Sequence, residues 1–481
     1  MTNTIKHSLL LLLLLALAGP FTQPVNAQSA ENDLAGVVQM GDVLIKNGTV
    51  LTITNGTLKN TDVLIRNGKI TRIGPGLSTP RGVAVVDATD QFVMPGIIDA
   101  HSHIALSSIN EGTSPVTSEV SVEDVINPYD VSIYRALAGG VTSIHAMHGS
   151  ANVIGGQCET LKLRYGVNNP DDLKMANAPR TIKFALGENP TRVHGGGSGI
   201  NPSSRMGVEM VLRNAFTEAT YYMEDWAEYE KERLTNTRAV APAYNERLEV
   251  IADIIRGNVL VQAHSYRADE ILMLMEVLGD FGVNKVNFQH VNEGFKVAPE
   301  LAAFGASASV FSDWWAYKFE VYYSTAYNAA ILTQNGVVTS INSDSGELIR
   351  HLFHEAAKTQ RYGSLTDDQA LALITINPAK QLGIEDRVGS IEVGKDGDIA
   401  IFNAHPLSIY AIPQKTIVDG NVKFDINTDV DDQRLLFNPD TPVDEVFMLD
   451  QHDHDRCMEG AFENGSLNSL LNTESTALDS Q

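Results

Sequence analysis

Two patterns of hydrophobic residues divide the chain into a central region and two flanks. Apolar and polar residues alternate over residues 43–86, where three Asn-Gly pairs occur, and again over residues 388–403 and 415–426. Alternation is typical of half-buried strands, and Asn-Gly between two such strands is a strong hairpin signal. Each flank is too small to form a core alone, so we expect the two flanks to build one small β-sandwich together.

Between the flanks, apolar runs typical of buried strands alternate with stretches of helical periodicity such as residues 269–282, DEILMLMEVLGDFG. We predict eight strands, at residues 93–99, 141–146, 159–164, 181–187, 258–263, 285–289, 307–311 and 337–342. Eight such strands with intervening helices over about 290 residues favour a closed barrel over an open sheet. The predicted fold class is therefore α/β, a (β/α)8 TIM barrel with a β-sandwich built from both terminal flanks.

The predicted organisation begins with an export signal. A signal peptide (1–27) is followed by the N-terminal β-sandwich segment (36–92), the barrel (93–385), the C-terminal β-sandwich segment (386–430) and an acidic and polar tail (446–481). A weakly basic start, a short apolar run over residues 9–18 and a small-residue end at Ala27 are typical of a secretory leader. The run is too short for a stable membrane anchor. We therefore expect a periplasmic or secreted protein.

Composition narrows the classes of partner. The 481-residue chain has a formal net charge of −24, which disfavours binding to the phosphates of nucleic acid. Its two cysteines, Cys158 and Cys457, are too few for a disulfide scaffold. The sequence leaves open whether these two cysteines pair, and whether the chain forms a homo-oligomer.

Metal-binding side chains stand at the C-terminal ends of four predicted strands. His101 and His103 end the first strand, in VMPGIIDAHSHI, and their spacing turns both rings to the same side. Three further apolar runs end in His264, His290 and Asp344. The C-terminal ends of barrel strands meet on one face, where active sites form. Each residue alone has an ordinary structural explanation, such as a core hydrogen bond or a helix cap. Together they predict a metal centre.

With these residues in place, the chain resembles the metal-dependent hydrolases of the amidohydrolase superfamily, and among them the imidazolonepropionase-like amidohydrolases. Residues 93–104 resemble the family's first-strand signature, and residues 375–402 resemble its return from the barrel to the β module. The resemblance covers roughly residues 42–425. It implies an enzyme, a metal-dependent hydrolase acting on carbon-nitrogen bonds other than typical peptide bonds.

The resemblance also implies a role for each strand-end residue. His101 and His103 would hold one divalent ion, and His264 and His290 a second. Asp344 would bind the first ion and act as the general base. The expected ion is Zn²⁺, as one or two ions per chain, although imidazole and carboxylate ligands also suit manganese and iron.

The family bridges its ions with a carboxylated lysine or, in some branches, a glutamate from the fourth strand. Lys183 is our first candidate because strand alternation turns it inward, and a buried lysine readily becomes the neutral amine that carboxylation needs. Glu188, just past the end of that strand, is the alternative bridging ligand. His145 and Arg192 are candidates for contact with substrate, Arg192 through a substrate carboxylate.

The expected reaction is hydrolysis of a carbon-nitrogen bond in a small amide, cyclic amide or peptide-like substrate by metal-activated water. The alternatives are a lactonase or esterase, a dipeptidase or a deaminase using the same metal centre, or a non-catalytic relative of the barrel. The expected partner is thus a small molecule. Its identity depends on barrel loops whose side chains cannot be placed from sequence.

Overall fold

The computed structural model describes residues 38–195, 201–315 and 318–428. The predicted signal peptide, the predicted tail and Cys457 lie outside these residues. Among the helices of the described ranges, none has the length and apolar character that a membrane crossing requires.

The β module is one hydrogen-bonded sheet built from both flanks of the chain. Its strands are β1 (Val43–Leu51), β2 (Thr57–Arg66), β3 (Lys69–Gly74), β4 (Ala84–Asp87), β5 (Phe92–Pro95), β14 (Ile399–Phe402), β15 (Pro413–Val418) and β16 (Asn421–Asp425). The order is β16-β15-β14-β5-β1-β2-β3, with β4 beside β1. Ile45, Ile65 and Ile399 belong to one buried cluster that draws on both flanks. Because the core is shared, neither flank buries its apolar face alone.

The first predicted barrel strand, residues 93–99, is in fact two strands in different sheets. β5 pairs with β1 and β14, whereas β6 (Ile97–Ser102) pairs with β7 (Val141–Ala146). The chain changes sheets at Gly96, where a Cβ atom would lie 2.1 Å from Thr142 Oγ1. Only glycine permits this close approach. The β module therefore extends to Pro95 instead of ending at residue 92.

The barrel sheet contains eight strands in chain order. After β6 and β7 come β8 (Ile154–Lys162), β9 (Arg180–Ala185), β10 (Val259–Ser265), β11 (Val286–His290), β12 (Ser307–Val310) and β13 (Thr339–Ile341). Beyond β13, the backbone N–H of Asp344 donates to the carbonyl of His101 at 3.1 Å, which joins the last strand end to the first. The predicted barrel with an accompanying β module is thus confirmed.

The helices of the described residues lie mostly between barrel strands. They are α1 (Val131–Ala138), α2 (Glu188–Gly195), α3 (Arg205–Glu232), α4 (Glu246–Ile255), α5 (Ala268–Asp280), α6 (Ala298–Phe304), α7 (Asn328–Gln334), α8 (Leu352–Gly363), α9 (Asp367–Ala372) and α10 (Ile376–Leu382). α5 buries Ile271, Leu274 and Leu278, a spacing that forms one apolar stripe. Full burial of each such side chain contributes about 1.5–3 kcal/mol.

The third barrel strand departs from the expected parallel arrangement. β8 is antiparallel to both β7 and β9, and the loop 147–153 joins it to β7 without a crossover helix. Its first residues therefore lie beside the C-terminal end of β9, whereas Lys162 pairs with Ser143 near the start of β7. The reversal brings a hairpin loop to the face where the other strands end.

Candidate metal centre

The predicted strand-end residues converge at the mouth of the barrel, the face formed by the C-terminal strand ends. His101 and His264 lie on β6 and β10, His103 follows β6, His290 ends β11 and Asp344 follows β13. All five side chains are buried. The ring centroids of His101 and His290 are 4.8 Å apart, and those of His264 and His290 are 4.7 Å apart. The structure therefore gathers these residues into a single cluster.

Asp344 is at the centre of this cluster. Its Oδ1 lies 3.5 Å from His101 Nε2 and 3.1 Å from His103 Nε2, and its Oδ2 lies 3.8 Å from His290 Nε2. Burial alone would raise the pKa of Asp344, but the close approach of the His103 and His290 rings and the charge of nearby Lys183 hold that pKa at about 2. The carboxylate is therefore ionised at neutral pH, the form that binds a metal.

Hydrogen bonds to Nδ1 fix the orientation of the His101 and His103 rings. His101 Nδ1 lies 3.1 Å from Gln289 Oε1, and His103 Nδ1 lies 2.8 Å from the carbonyl oxygen of Met147. Because both oxygens can only accept, each Nδ1 carries the hydrogen and donates it. Each Nε2 then presents its lone pair to Asp344, the tautomer that metal coordination requires.

The second pair of histidines has buried nitrogens that a metal would satisfy. Ser150 Oγ lies 3.0 Å from His264 Nδ1. His264 Nε2 and both ring nitrogens of His290 are buried without a hydrogen bond to any part of the chain that the structure describes. A buried polar atom left in this way costs about 1–3 kcal/mol. Imidazole lone pairs beside an ionised carboxylate are a donor set that fits a divalent transition metal.

The structure separates the two candidates for the bridging ligand. Lys183 is fully buried on β9, with Nζ 3.2 Å from His101 Nε2. Burial, followed by the charge of Lys183, lowers the pKa of His101 well below its usual range, which keeps the imidazole neutral. Glu188, the first residue of α2, instead lies 3.1 Å from Arg192 Nη2 and 3.8 Å from Lys318 Nζ. Lys183 thus contacts His101 of the candidate metal centre, whereas Glu188 forms ion pairs with Arg192 and Lys318.

The two predicted substrate contacts lie in different surroundings. His145 on β7 is buried, with Nε2 2.8 Å from Thr181 Oγ1, and burial lowers its pKa to about 3. Arg192 on α2 is half exposed and paired with Glu188. His145 therefore belongs to the hydrogen bonding of the barrel wall and Arg192 to the outer edge of the mouth, and contact of either residue with substrate stays a prediction.

Sequence reasoning missed one carboxylate that links the first and last barrel strands. Asp99 accepts hydrogen bonds from the backbone N–H groups of His101 and Ser343, at 3.3 and 3.1 Å, and from the Ser343 hydroxyl. Burial raises its pKa to about 7. One sequence feature could have revealed Asp99. It is a charged residue inside an apolar run, and alternation along the strand turns it to the same side as His101 and His103.

A second group of buried carboxylates lies near the start of β7, and a lysine occupies its centre. Oxygens of Asp396, Asp398 and Asp419 are close enough together to hold an ion. Nζ of Lys162, however, lies 2.6 Å from Asp396 Oδ2 and 3.1 Å from Asp398 Oδ2, and it also contacts Asp419. Because Lys162, Arg387 and Arg164 already pair with these acids, the group is an ion-pair network that joins β8 to the β module.

Sequence comparisons relate the chain to known amidohydrolases. A model described as "Amidohydrolase family" matches residues 320–428. The chain is 30% identical to the amidohydrolase tasK of Hapsidospora irregularis over 434 residues, which cover 84% of this chain and 42% of that protein. It thus spans less than half the length of this relative. It is also 56% identical to the imidazolonepropionase of Shewanella oneidensis over 39 residues, 8% of this chain and 10% of that protein.

A solved structure extends the similarity over the whole of another protein. The crystal structure of an amidohydrolase from Thermotoga maritima MSB8 aligns with a TM-score of 0.74 and 34% sequence identity. The alignment covers 80% of this chain and 100% of that one. Identity at this level over a complete relative, with the same fold, confirms the predicted family. The chain belongs to the amidohydrolase family.

Proposed function

We propose that the protein is a metal-dependent hydrolase that cleaves a carbon-nitrogen bond in a small amide, cyclic amide or peptide-like substrate. The observation that carries this proposal is the buried cluster in which the Nε2 atoms of His101 and His103 face the ionised carboxylate of Asp344. The matched amidohydrolases and imidazolonepropionase support the same class of reaction.

The donor set supports one assignment of the metal ligands. His101, His103 and Asp344 would hold one divalent ion, and His264 and His290 a second, with Zn²⁺ as the proposed metal. Lys183 would bridge the two positions after carboxylation, because burial favours the neutral amine that reacts with carbon dioxide. A divalent ion in such a site supplies a Lewis acid for the substrate oxygen and lowers the pKa of water toward neutrality.

The chain's own residues would move the proton. Asp344 Oδ1 and Oδ2 face different histidines, so the carboxylate spans the cluster between the two ligand pairs. The carboxylate is ionised at neutral pH, so it would accept a proton from the attacking water and then pass that proton to the leaving nitrogen. Gln289 and Met147 would hold the His101 and His103 rings in place during this transfer.

The test is elemental analysis of the purified protein, combined with a panel of N-acyl amino acids, cyclic amides, dipeptides, esters, lactones and amino-purines. In the Asp344→Asn variant most of the metal should remain, because the ligand geometry is kept, while hydrolysis should fall by roughly 100-fold or more. Asp124→Asn, at an exposed aspartate, is the matched control. Full activity of Asp344→Asn would overturn the proposed base, and a protein without bound divalent ion would overturn the proposed centre.

We also propose export to the periplasm or beyond the cell, which rests on the leader-like pattern of residues 1–27. Cell fractionation followed by N-terminal sequencing tests it. The expected mature chain begins at Gln28, and a full-length chain in the cytoplasmic fraction would contradict export.

A further inference from the structure

We infer that Lys318 binds a carboxylate of the substrate and so determines the specificity of the site. The inference rests on the proposed function and deepens it, since it names the class of substrate as small amides that carry an anionic group.

Lys318 lies between β12 and α7, and its side chain turns back over the mouth. The side chain is only 8% exposed. Nζ is 3.1 Å from Asn189 Oδ1 and 4.3 Å from the centre of the Tyr266 ring. Asn189 lies in the first turn of α2, which follows β9, and Tyr266 directly follows β10. The ammonium therefore lies above the strands that carry the candidate ligands Lys183 and His264.

The Tyr266 ring connects the ammonium to the metal centre. Its centroid lies 4.6 Å from that of His264 and 5.3 Å from that of His290, and it stacks on His290 with an interplanar angle of 22°. Lys318 and the two histidines thus contact the same ring. A small amide whose carbonyl lies at the centre can place a carboxylate next to Lys318 without being a large molecule.

Lys318 turns inward although aromatic residues of the same segment turn to the solvent. Its neighbour Phe319 is 83% exposed and Tyr322 is 69% exposed. The hydrophobic effect alone would favour the opposite arrangement, with the aromatic side chains inside and the cation outside. Desolvating a lysine costs free energy, and contacts with Asn189 Oδ1, the Tyr266 ring and the Glu188 carboxylate offset part of this cost.

The segment that carries Lys318 is fixed to the barrel by the residue two positions later. Glu320 is buried, accepts a hydrogen bond from the backbone N–H of Glu188 at 2.9 Å, and pairs with Arg205. A fixed cation loses little conformational entropy on binding and so contributes more to affinity. The ammonium is therefore held ready for a ligand at one position.

The acids around Lys318 are shared with other cations. Glu188 lies 3.8 Å from Nζ of Lys318, whereas its other oxygen lies 3.1 Å from Arg192. Glu270 and Glu320 both pair with Arg205. A substrate carboxylate would add a short, charge-assisted hydrogen bond to Lys318. The sequence had suggested Arg192 for this role, but that side chain is half exposed and pairs with Glu188, on the far side of this carboxylate from Lys318.

The test compares two ligands that differ in one charge, N-acetyl-L-alanine and N-acetyl-L-alaninamide. Steady-state kinetics gives kcat and KM for each ligand, and calorimetry on the metal-loaded protein gives Kd where turnover is absent. Lys318→Met removes the charge and keeps the length of the side chain, and Lys318→Arg restores a charge. Arg192→Met tests the competing residue. Lys296→Met is the matched control, since Nζ of Lys296 also lies 4.3 Å from the centre of a tyrosine ring, that of Tyr323.

In Lys318→Met the preference for the carboxylate ligand should fall about tenfold or more through KM or Kd, with kcat nearly unchanged. Lys318→Arg should keep some of the preference, and Arg192→Met and Lys296→Met should keep all of it. The inference is overturned if the wild type does not prefer the carboxylate ligand, or if Lys318→Met weakens the binding of both ligands equally. It is also overturned if only Arg192→Met loses the preference. If binding preference depends on Lys318 but nothing is hydrolysed, the proposed function fails and this inference stands.

Discussion

Replacing Lys162 with methionine should destabilise the protein strongly, and more so at high pH. The side chain is fully buried, with Nζ 2.6 Å from Asp396 Oδ2, 3.1 Å from Asp398 Oδ2 and in contact with Asp419. Methionine is of similar length and fills a core well. The substitution therefore removes a positive charge while packing changes little.

The expected magnitude follows from the partners that remain. Asp396 keeps Arg387 at 3.0 Å, and Asp419 keeps Arg164 at 2.7 Å. Within the described ranges, Asp398 keeps one hydrogen bond, from the backbone N–H of Asp419 at 2.8 Å. Removing one partner of a buried ion pair costs about 3–5 kcal/mol because it leaves an uncompensated charge. We expect a loss of this size in the free energy of unfolding at pH 8.

The loss should shrink at acidic pH because Asp398 can take up a proton. Burial raises the pKa of Asp398 from 3.8 to about 6, even though the charge of Lys162 lowers it. Without that charge the pKa rises further. A carboxyl group whose pKa is higher in the folded than in the unfolded state stabilises the fold below its unfolded pKa, and this contribution is lost as the pH rises through the folded pKa. The variant should therefore be least impaired near pH 5.

Urea unfolding followed by far-ultraviolet circular dichroism at pH 5.5 and 8 measures both effects. The double variant Lys162→Met/Asp398→Asn removes the charge that lost its partner and should regain about half of the loss at pH 8. Lys59→Met, on the exposed portion of β2, is the control. A Lys162→Met protein within about 1 kcal/mol of wild type at both pH values, or no recovery in the double variant, would show that Lys162 does not compensate these buried charges.

Two further predictions concern the mouth of the barrel. Lys183→Ala should lower the amount of metal bound per chain, and bicarbonate or a short carboxylic acid should restore some of the activity; unchanged metal content in this variant, with a loss in Glu188→Gln, would assign the bridge to Glu188. Burial and the charge of Glu320 raise the pKa of Glu270 from 4.5 to about 7. Ionising Glu270 should therefore cost up to about 3 kcal/mol of stability as the pH rises from 4.5 through 7. Glu270→Gln should lose less stability than wild type between pH 5.5 and 8.5 in urea titrations, and equal pH dependence would contradict this assignment.

The residues of the candidate metal centre could be predicted because their signal is local. An apolar run that ends in histidine or aspartate places that side chain at a strand end, and a barrel brings such ends together. His264, His290 and Asp344 could be identified in this way without knowing their distances. The choice between Lys183 and Glu188 could not be made from the sequence. The two residues are only five positions apart, yet Lys183 lies inside the barrel on β9 and Glu188 lies on the following helix.

The direction of β8 could not be predicted because a buried apolar run reads the same for a parallel and an antiparallel strand. The predicted start at residue 159 left a connection from residue 146 long enough for a crossover. The observed strand begins at Ile154, and the remaining loop is shorter than the dozen or so residues that a parallel crossover needs. The break at Gly96 was missed for a related reason, since the apolar run continues across it and only the contact with Thr142 shows the change of sheet.

The reversed strand has a consequence for engineering this protein. The loop 147–153 is tethered to barrel strands at both of its ends, and it supplies Met147 to His103 and Ser150 to His264. One hairpin thus orients a histidine from each candidate metal position, so an insertion there would disturb both positions together. A directed-evolution library aimed at new substrates should keep this hairpin constant and diversify the connection between β12 and α7, where Phe319 and Tyr322 already face the solvent.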